Sequence, residues 1–160
     1  FSPRFSPDSK RVLVLNGFGL NGKGRLDDVL SIDMTLEQPQ VTEKISQVAD
    51  GLESLAFAPD GKMAVVTCLG KGPWSAPTGF GRLAVIDLTT KPARMLYQTP
   101  IEIFPEGIEF SPDGKTLFVG CTFADHIAVL EVEGFRLKRS PYILPCGHGP
   151  VSLGLSPLKE

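Results

Sequence analysis

Glu53 and Glu106 occupy the same place in two copies of one short pattern, each four residues before a phenylalanine (Phe57 or Phe110) that opens a Pro-Asp-Gly turn. Carboxylates at equivalent positions of neighbouring strands can converge on one point. Oxygen donors of this kind suit a hard divalent cation such as calcium. Val151 takes this place in the next copy and offers no ligand.

Other reactive residue types are scattered along the chain. Cys146 and His148 stand two apart in PCGHGP, a spacing open to a metal pair or to a nucleophile with its base. The flanking Gly and Pro residues also make a tight connecting loop. His126 follows Asp125, which reads either as a dyad or as a hydrogen bond at a strand edge. Cys68 and Cys121 share one repeat position. A disulfide between them would need Cα atoms within about 7 Å, so small buried side chains with free thiols are expected.

Two long Gly-rich loops, 17 to 26 and 69 to 81, carry Phe18, Trp74 and Phe80. An exposed aromatic in such a loop can anchor a protein or small ligand, and Trp74 can equally fold down as a cap. GFGLNG within the first loop lacks the following helix that a phosphate-binding glycine motif requires.

What positions these residues is a repeat. FSPDSK begins at Phe5, FAPDGK at Phe57 and FSPDGK at Phe110, spacings of 52 and 53 residues, and a degraded copy, LSPLKE, begins at Leu155. In these turns Pro fixes φ and Asp bonds back to the backbone, and in the second and third copies Gly accepts positive φ. Apolar runs precede the turns (LESLAF, EGIEF, VSLGL) and follow them (VLVLN, MAVVTC, TLFVGC). A third segment then alternates (DVLSIDM, RLAVIDL, HIAVLEV) and a fourth follows (VTEKISQV, ARMLYQT, FRLKRSPYIL).

Four strands per period, with no convincing helical periodicity, predict an all-β chain: a β-propeller of about three four-stranded antiparallel blades from a larger ring. The repeats fall at 1–51, 52–104 and 105–150 within a single domain, with the start of the next at 151–160. An open β solenoid is the alternative architecture. Innermost propeller strands line the central channel, which would bring Glu53 and Glu106 to its mouth. The loops between second and third strands, and those into the next blade, share one face, which is where binding sites concentrate.

The aligned segments Leu13-Val14-Leu15-Asn16, Val65-Val66-Thr67-Cys68 and Phe118-Val119-Gly120-Cys121 resemble the YVTN-type repeat, a WD-repeat-like unit of lactonase-like propellers. The resemblance covers nearly the whole chain. It implies a ring of about seven blades, and hence that this chain is part of a longer one whose remaining blades pair with its edges. Pro105-Glu106-Gly107-Ile108 is also similar to the strand-start motif by which gluconolactonase and regucalcin-type propellers hold a catalytic divalent metal, although Ser54 replaces the glycine after Glu53. That similarity implies Glu53 and Glu106 as ligands for Lewis-acid lactone hydrolysis.

The composition is that of a folded protein: 42% hydrophobic and 21% charged, with net charge −2 from 16 basic and 18 acidic residues. The near-neutral balance and the lack of a basic run argue against nucleic acid as a partner. No apolar run reaches the roughly 18 residues of a membrane helix. No haem-attachment Cys-x-x-Cys-His spacing occurs.

The leading expectation is a non-catalytic binding propeller, with no cofactor required, that meets a protein or small ligand through Trp74, Phe80, Phe18 and His148. The alternative is a metal-dependent lactonase-like hydrolase using Glu53 and Glu106. The resemblance implies a periplasmic or secreted location, although unpaired cysteines favour a reducing one.

Overall fold

The structure is a computed structural model that describes residues 3–16, 26–69 and 79–156. It contains three four-stranded antiparallel sheets, each following the chain order inward to outward. The first holds β1 (Arg4–Phe5), β2 (Arg11–Asn16), β3 (Asp27–Asp33) and β4 (Gln40–Ala49). The second holds β5 (Leu52–Phe57), β6 (Met63–Cys68), β7 (Gly81–Asp87) and β8 (Arg94–Ile101). The third holds β9 (Pro105–Phe110), β10 (Thr116–Cys121), β11 (His126–Glu133) and β12 (Arg136–Pro145). The expected four strands per period are therefore present, and the sheets are propeller blades.

The turns at the first-to-second strand corners explain the repeat. Each closes with an amide-to-carbonyl bond across the corner: Ser9 to Ser6 at 2.8 Å, Gly61 to Ala58 at 2.9 Å and Gly114 to Ser111 at 2.9 Å. The donor residue has positive φ in all three (58°, 70° and 70°), which glycine adopts without cost and Ser9 reproduces in the first copy. The aspartate carboxylates accept from the amide two residues on, as in Lys10 N–H to Asp8 at 3.1 Å and Lys115 N–H to Asp113 at 3.0 Å.

Burial explains why the middle blade reads as continuous apolar runs while its neighbours alternate. Along β6, Ala64, Val66 and Cys68 pack into a core shared with the first blade, while Met63 and Val65 point to a core shared with the third. In β7, Ala84 and Ile86 face one way and Leu83 and Val85 the other. Strands covered on both faces need apolar residues at every position.

VSLGL, expected as the next inner strand, joins no ladder among the described residues. It still lies where such a strand would run. A Cβ on Gly107 would meet Ser152 and Leu153 at 3.0 Å, and one on Gly120 would meet the Pro150 carbonyl at 2.8 Å.

Candidate functional site

Antiparallel order gathers one set of corners at one end of every blade: the starts of first and third strands and the ends of second and fourth strands. Glu53, Phe80, Glu106, Cys121, His126 and His148 all lie at this end, opposite the Pro-Asp turns.

Both glutamates sit where an inner strand slips register. In the β5–β6 ladder the shift falls between Leu52 and Leu55, and in the β9–β10 ladder it falls opposite Glu106 and Gly107, between Val119 and Cys121. Such bulges re-aim side chains next to functional sites. Threonines hold the irregular backbone. Thr67 Oγ1 accepts from the Ser54 amide at 2.9 Å and lies 3.3 Å from the carbonyl oxygens of both Ser54 and Glu106, tying the two inner strands together. Thr122 Oγ1 donates to Glu106 Oε2 at 2.9 Å and lies 3.0 Å from the Pro150 carbonyl. Burial raises the Glu53 carboxyl above the usual carboxylate range, and the negative charge of Glu106 adds to the rise. The Glu106 charge thus reaches Glu53 across the blade boundary.

The pair offers oxygen donors only, and a hard divalent cation would relieve its repulsion. The donor set fits part of such a site. Among the described residues it gathers no third His, Cys, Asp or Glu donor.

A second cluster stands one strand further out. The short loop 122–125 forms a 3-10 turn that ends with Asp125 in the left-handed region, and it sets Cys121 directly opposite His126 across the β10–β11 hairpin. Glu102, in the β8–β9 connection, completes the cluster. Its Oε1 lies 3.1 Å from His126 Nε2 and accepts from Arg139 Nη2, while Cys121 Sγ lies 3.7 Å from its Oε2. Burial opposes ionisation of Glu102, but its own backbone amide, His126 and Arg139 outweigh that and hold its carboxyl below the usual range. Burial, reinforced by Glu102, pushes the Cys121 thiol up to about 12, and burial pushes Cys68 up to about 12. All three cysteines are free thiols, as their spacing predicts.

The Asp125–His126 pairing suggested by adjacency is not formed. Asp125 instead meets His148, with Nδ1 3.0 Å from Oδ2, and accepts from the Gly149 amide at 3.0 Å. The left-handed conformation of Asp125 turns its carboxylate toward the 145–150 loop, while His126 Nδ1 faces the Ala124 carbonyl at 2.9 Å. His148 is thus a loop clasp, with its side chain 98% exposed, and the Cys146–His148 pairing gains no further donor among the described residues. Phe80 is 75% exposed at this end, and Phe123, 54% exposed, packs on Phe104 with ring centroids 4.7 Å apart. Trp74, Phe18, the GFGLNG segment and most of both long loops lie outside the described residues.

Glu102 and Arg139 carry no signal in sequence spacing, since they reach Cys121 only through the blade's curvature. The Cys121–His126 contact was readable, because a four-residue hairpin loop places its flanking residues opposite one another.

Three successive four-stranded antiparallel blades define part of a β-propeller. The solved structures agree. A candidate 6-phosphogluconolactonase from Bacteroides fragilis superposes with TM-score 0.75 at 16% identity, over 94% of this chain and 40% of that one. Its counterpart from Bacteroides uniformis gives 0.71 at 18% identity, over 92% and 41%. Hydrazine synthase of Kuenenia stuttgartiensis gives 0.65 at 19% identity, over 95% and 52%. In sequence, the chain is 32% identical over 108 residues to Antigen Lp49 of Leptospira interrogans, a match to 62% of this chain and 22% of that protein. The chain thus spans 22% to 52% of the length of these proteins. No protein-family profile matches the chain.

Proposed function

We infer that this chain contributes blades to a lactonase-like hydrolase whose working face is the channel end, with Glu53 and Glu106 as the acidic pair that meets a sugar-lactone substrate. The observation that carries this reading is the placement of the two carboxyls at equivalent inner-strand bulges of adjacent blades, where burial, with a smaller contribution from the Glu106 charge, raises Glu53. The 6-phosphogluconolactonase-type neighbours support the choice of a lactone over other esters.

The chemistry assigned to these residues is simple. Thr122 holds Glu106 Oε2 with a hydrogen bond at 2.9 Å, which leaves its other oxygen for substrate or cation. The raised Glu53 carboxyl keeps a proton nearer to neutral pH than an ordinary glutamate, which suits it to deliver or receive one during acyl-oxygen cleavage. A divalent cation bound instead by the ionised pair would displace the Glu53 proton, polarise the lactone carbonyl and lower the pKa of water.

The test is hydrolysis of a panel of aldonolactones, phosphorylated and unphosphorylated, by the full-length protein with calcium, magnesium or zinc and with chelator. Hydrolysis that falls in both Glu53→Gln and Glu106→Gln supports the reading. Absence of hydrolysis across the panel overturns it.

A second reading, a binding propeller without catalysis, is favoured by the exposed rings of Phe80 and Phe123 at the same end. It expects partner capture that Phe80→Ser weakens while Glu106→Gln leaves it unchanged.

A further inference from the structure

We propose that Glu102, Cys121 and His126 form a binding site for a zinc-class divalent cation, separate from the Glu53–Glu106 pair. The ligand atoms of the three residues lie within 4.8 Å of one another. The closest approaches, 3.1 Å from His126 Nε2 to Glu102 Oε1 and 3.7 Å from Cys121 Sγ to Glu102 Oε2, bracket the ligand separations of a tetrahedral zinc site. With Zn–S of about 2.3 Å and Zn–N and Zn–O of about 2.0–2.2 Å, tetrahedral ligand atoms stand roughly 3.3–3.6 Å apart.

The surroundings fix the ligands as metal sites require. The Ala124 carbonyl takes the Nδ1 proton of His126 at 2.9 Å, which leaves Nε2 to face Glu102 and Cys121. Arg139 donates to Glu102 Oε1, so the carboxylate is held while Oε2 turns to Cys121. Imidazole held through its second nitrogen and carboxylate held by a hydrogen-bond donor are the supports that orient metal ligands. One nitrogen, one sulfur and one oxygen make a borderline-soft set that selects zinc over calcium or magnesium. Cys121 is fully buried, while the side chains of His126 and Glu102 keep 14% and 29% exposure and give a path from solvent. Binding releases to water both the thiol proton and the Nε2 proton that His126 shares with Glu102, and puts the cation in their place. Three protein ligands leave one position open at the channel end.

The test titrates cobalt(II) into the reduced full-length protein and follows the near-ultraviolet sulfur-to-cobalt charge-transfer band, with zinc as competitor. The expected result is a saturable band that zinc displaces, lost in Cys121→Ser and retained in Cys68→Ser, Cys146→Ser and Glu53→Gln. His126→Gln leaves the core intact and should weaken cobalt binding about 10-fold or more. It decides the matter if Cys121→Ser does not fold. Absence of the band, its survival in Cys121→Ser, or unchanged affinity in His126→Gln overturns the site. The band reports thiolate ligation alone, so it is independent of whether the Glu53–Glu106 pair hydrolyses lactones.

Discussion

Thr122 Oγ1 lies 2.9 Å from Glu106 Oε2 and 3.0 Å from the Pro150 carbonyl oxygen, so one hydroxyl connects a carboxylate on the third blade's inner strand to the segment that runs where the next inner strand would. The threonine after Cys121 therefore both orients Glu106 and anchors the following segment. Thr122→Val keeps the shape and removes the hydrogen bond. It should lower stability by about 0.5–1.5 kcal/mol in denaturant unfolding. It should also reduce lactone hydrolysis more than it reduces the folded fraction.

The raised Glu53 carboxyl makes stability depend on pH in a defined direction. The native state holds this proton more tightly than the unfolded chain, so the native chain binds more protons in this window and stability falls as pH rises. The contribution is fully present below the unfolded glutamate value and is lost as pH rises through the native one. In chelator-containing buffer, Glu53→Gln should flatten that slope and stabilise the protein at neutral pH. A slope unchanged by the substitution would show that Glu53 does not carry the proton.

The turn aspartate Asp113 has the opposite sign. The Ser111 hydroxyl, donating to Asp113 Oδ1 at 2.6 Å, and then the Lys115 amide hold the Asp113 carboxyl below its usual range. Such a group contributes stability above its unfolded pKa, and that contribution disappears as pH falls through the native value. Ser111→Ala should move the Asp113 titration upward toward that of an ordinary aspartate, as read by NMR of its carboxyl carbon.

Close approach of backbone at the β7 start gives a packing prediction. A Cβ on Gly81 would collide with the Pro105 ring and come within 2.7 Å of the Glu102 carbonyl, whereas one on Gly147 meets nothing within 4 Å. Gly81→Ala should destabilise by about 1–3 kcal/mol or more, because rigid backbone must shift. Gly147→Ala should be close to neutral.

The architecture was legible in the sequence because its determinants are local. The Pro-Asp-Gly corners, the alternation in DVLSIDM and the continuous apolar runs of the middle blade follow from turn stereochemistry and from which faces are covered. The site was legible only in part. Glu53 and Glu106 emerged from repeat alignment, since equivalent positions in equivalent blades share a surrounding. The partner of Asp125 did not, because a left-handed residue redirects a carboxylate in a way that adjacency does not reveal. Glu102 lies in the β8–β9 connection and Arg139 on β12, and they join the Cys121–His126 hairpin only in three dimensions. VSLGL carries an inner-strand pattern, yet it joins no ladder among the described residues.

The most direct test of the central claim is kcat/KM of the full-length protein on an aldonolactone substrate, compared with Glu106→Gln. The substitution keeps the size of the side chain and an oxygen to accept the hydrogen bond from Thr122, but the amide cannot carry charge. A loss of about 100-fold to 10,000-fold, the usual weight of a positioned acid or base, with thermal stability retained, is the predicted result. Equal hydrolysis by the parent and the Glu106→Gln variant would contradict the account and leave the channel face as a binding surface.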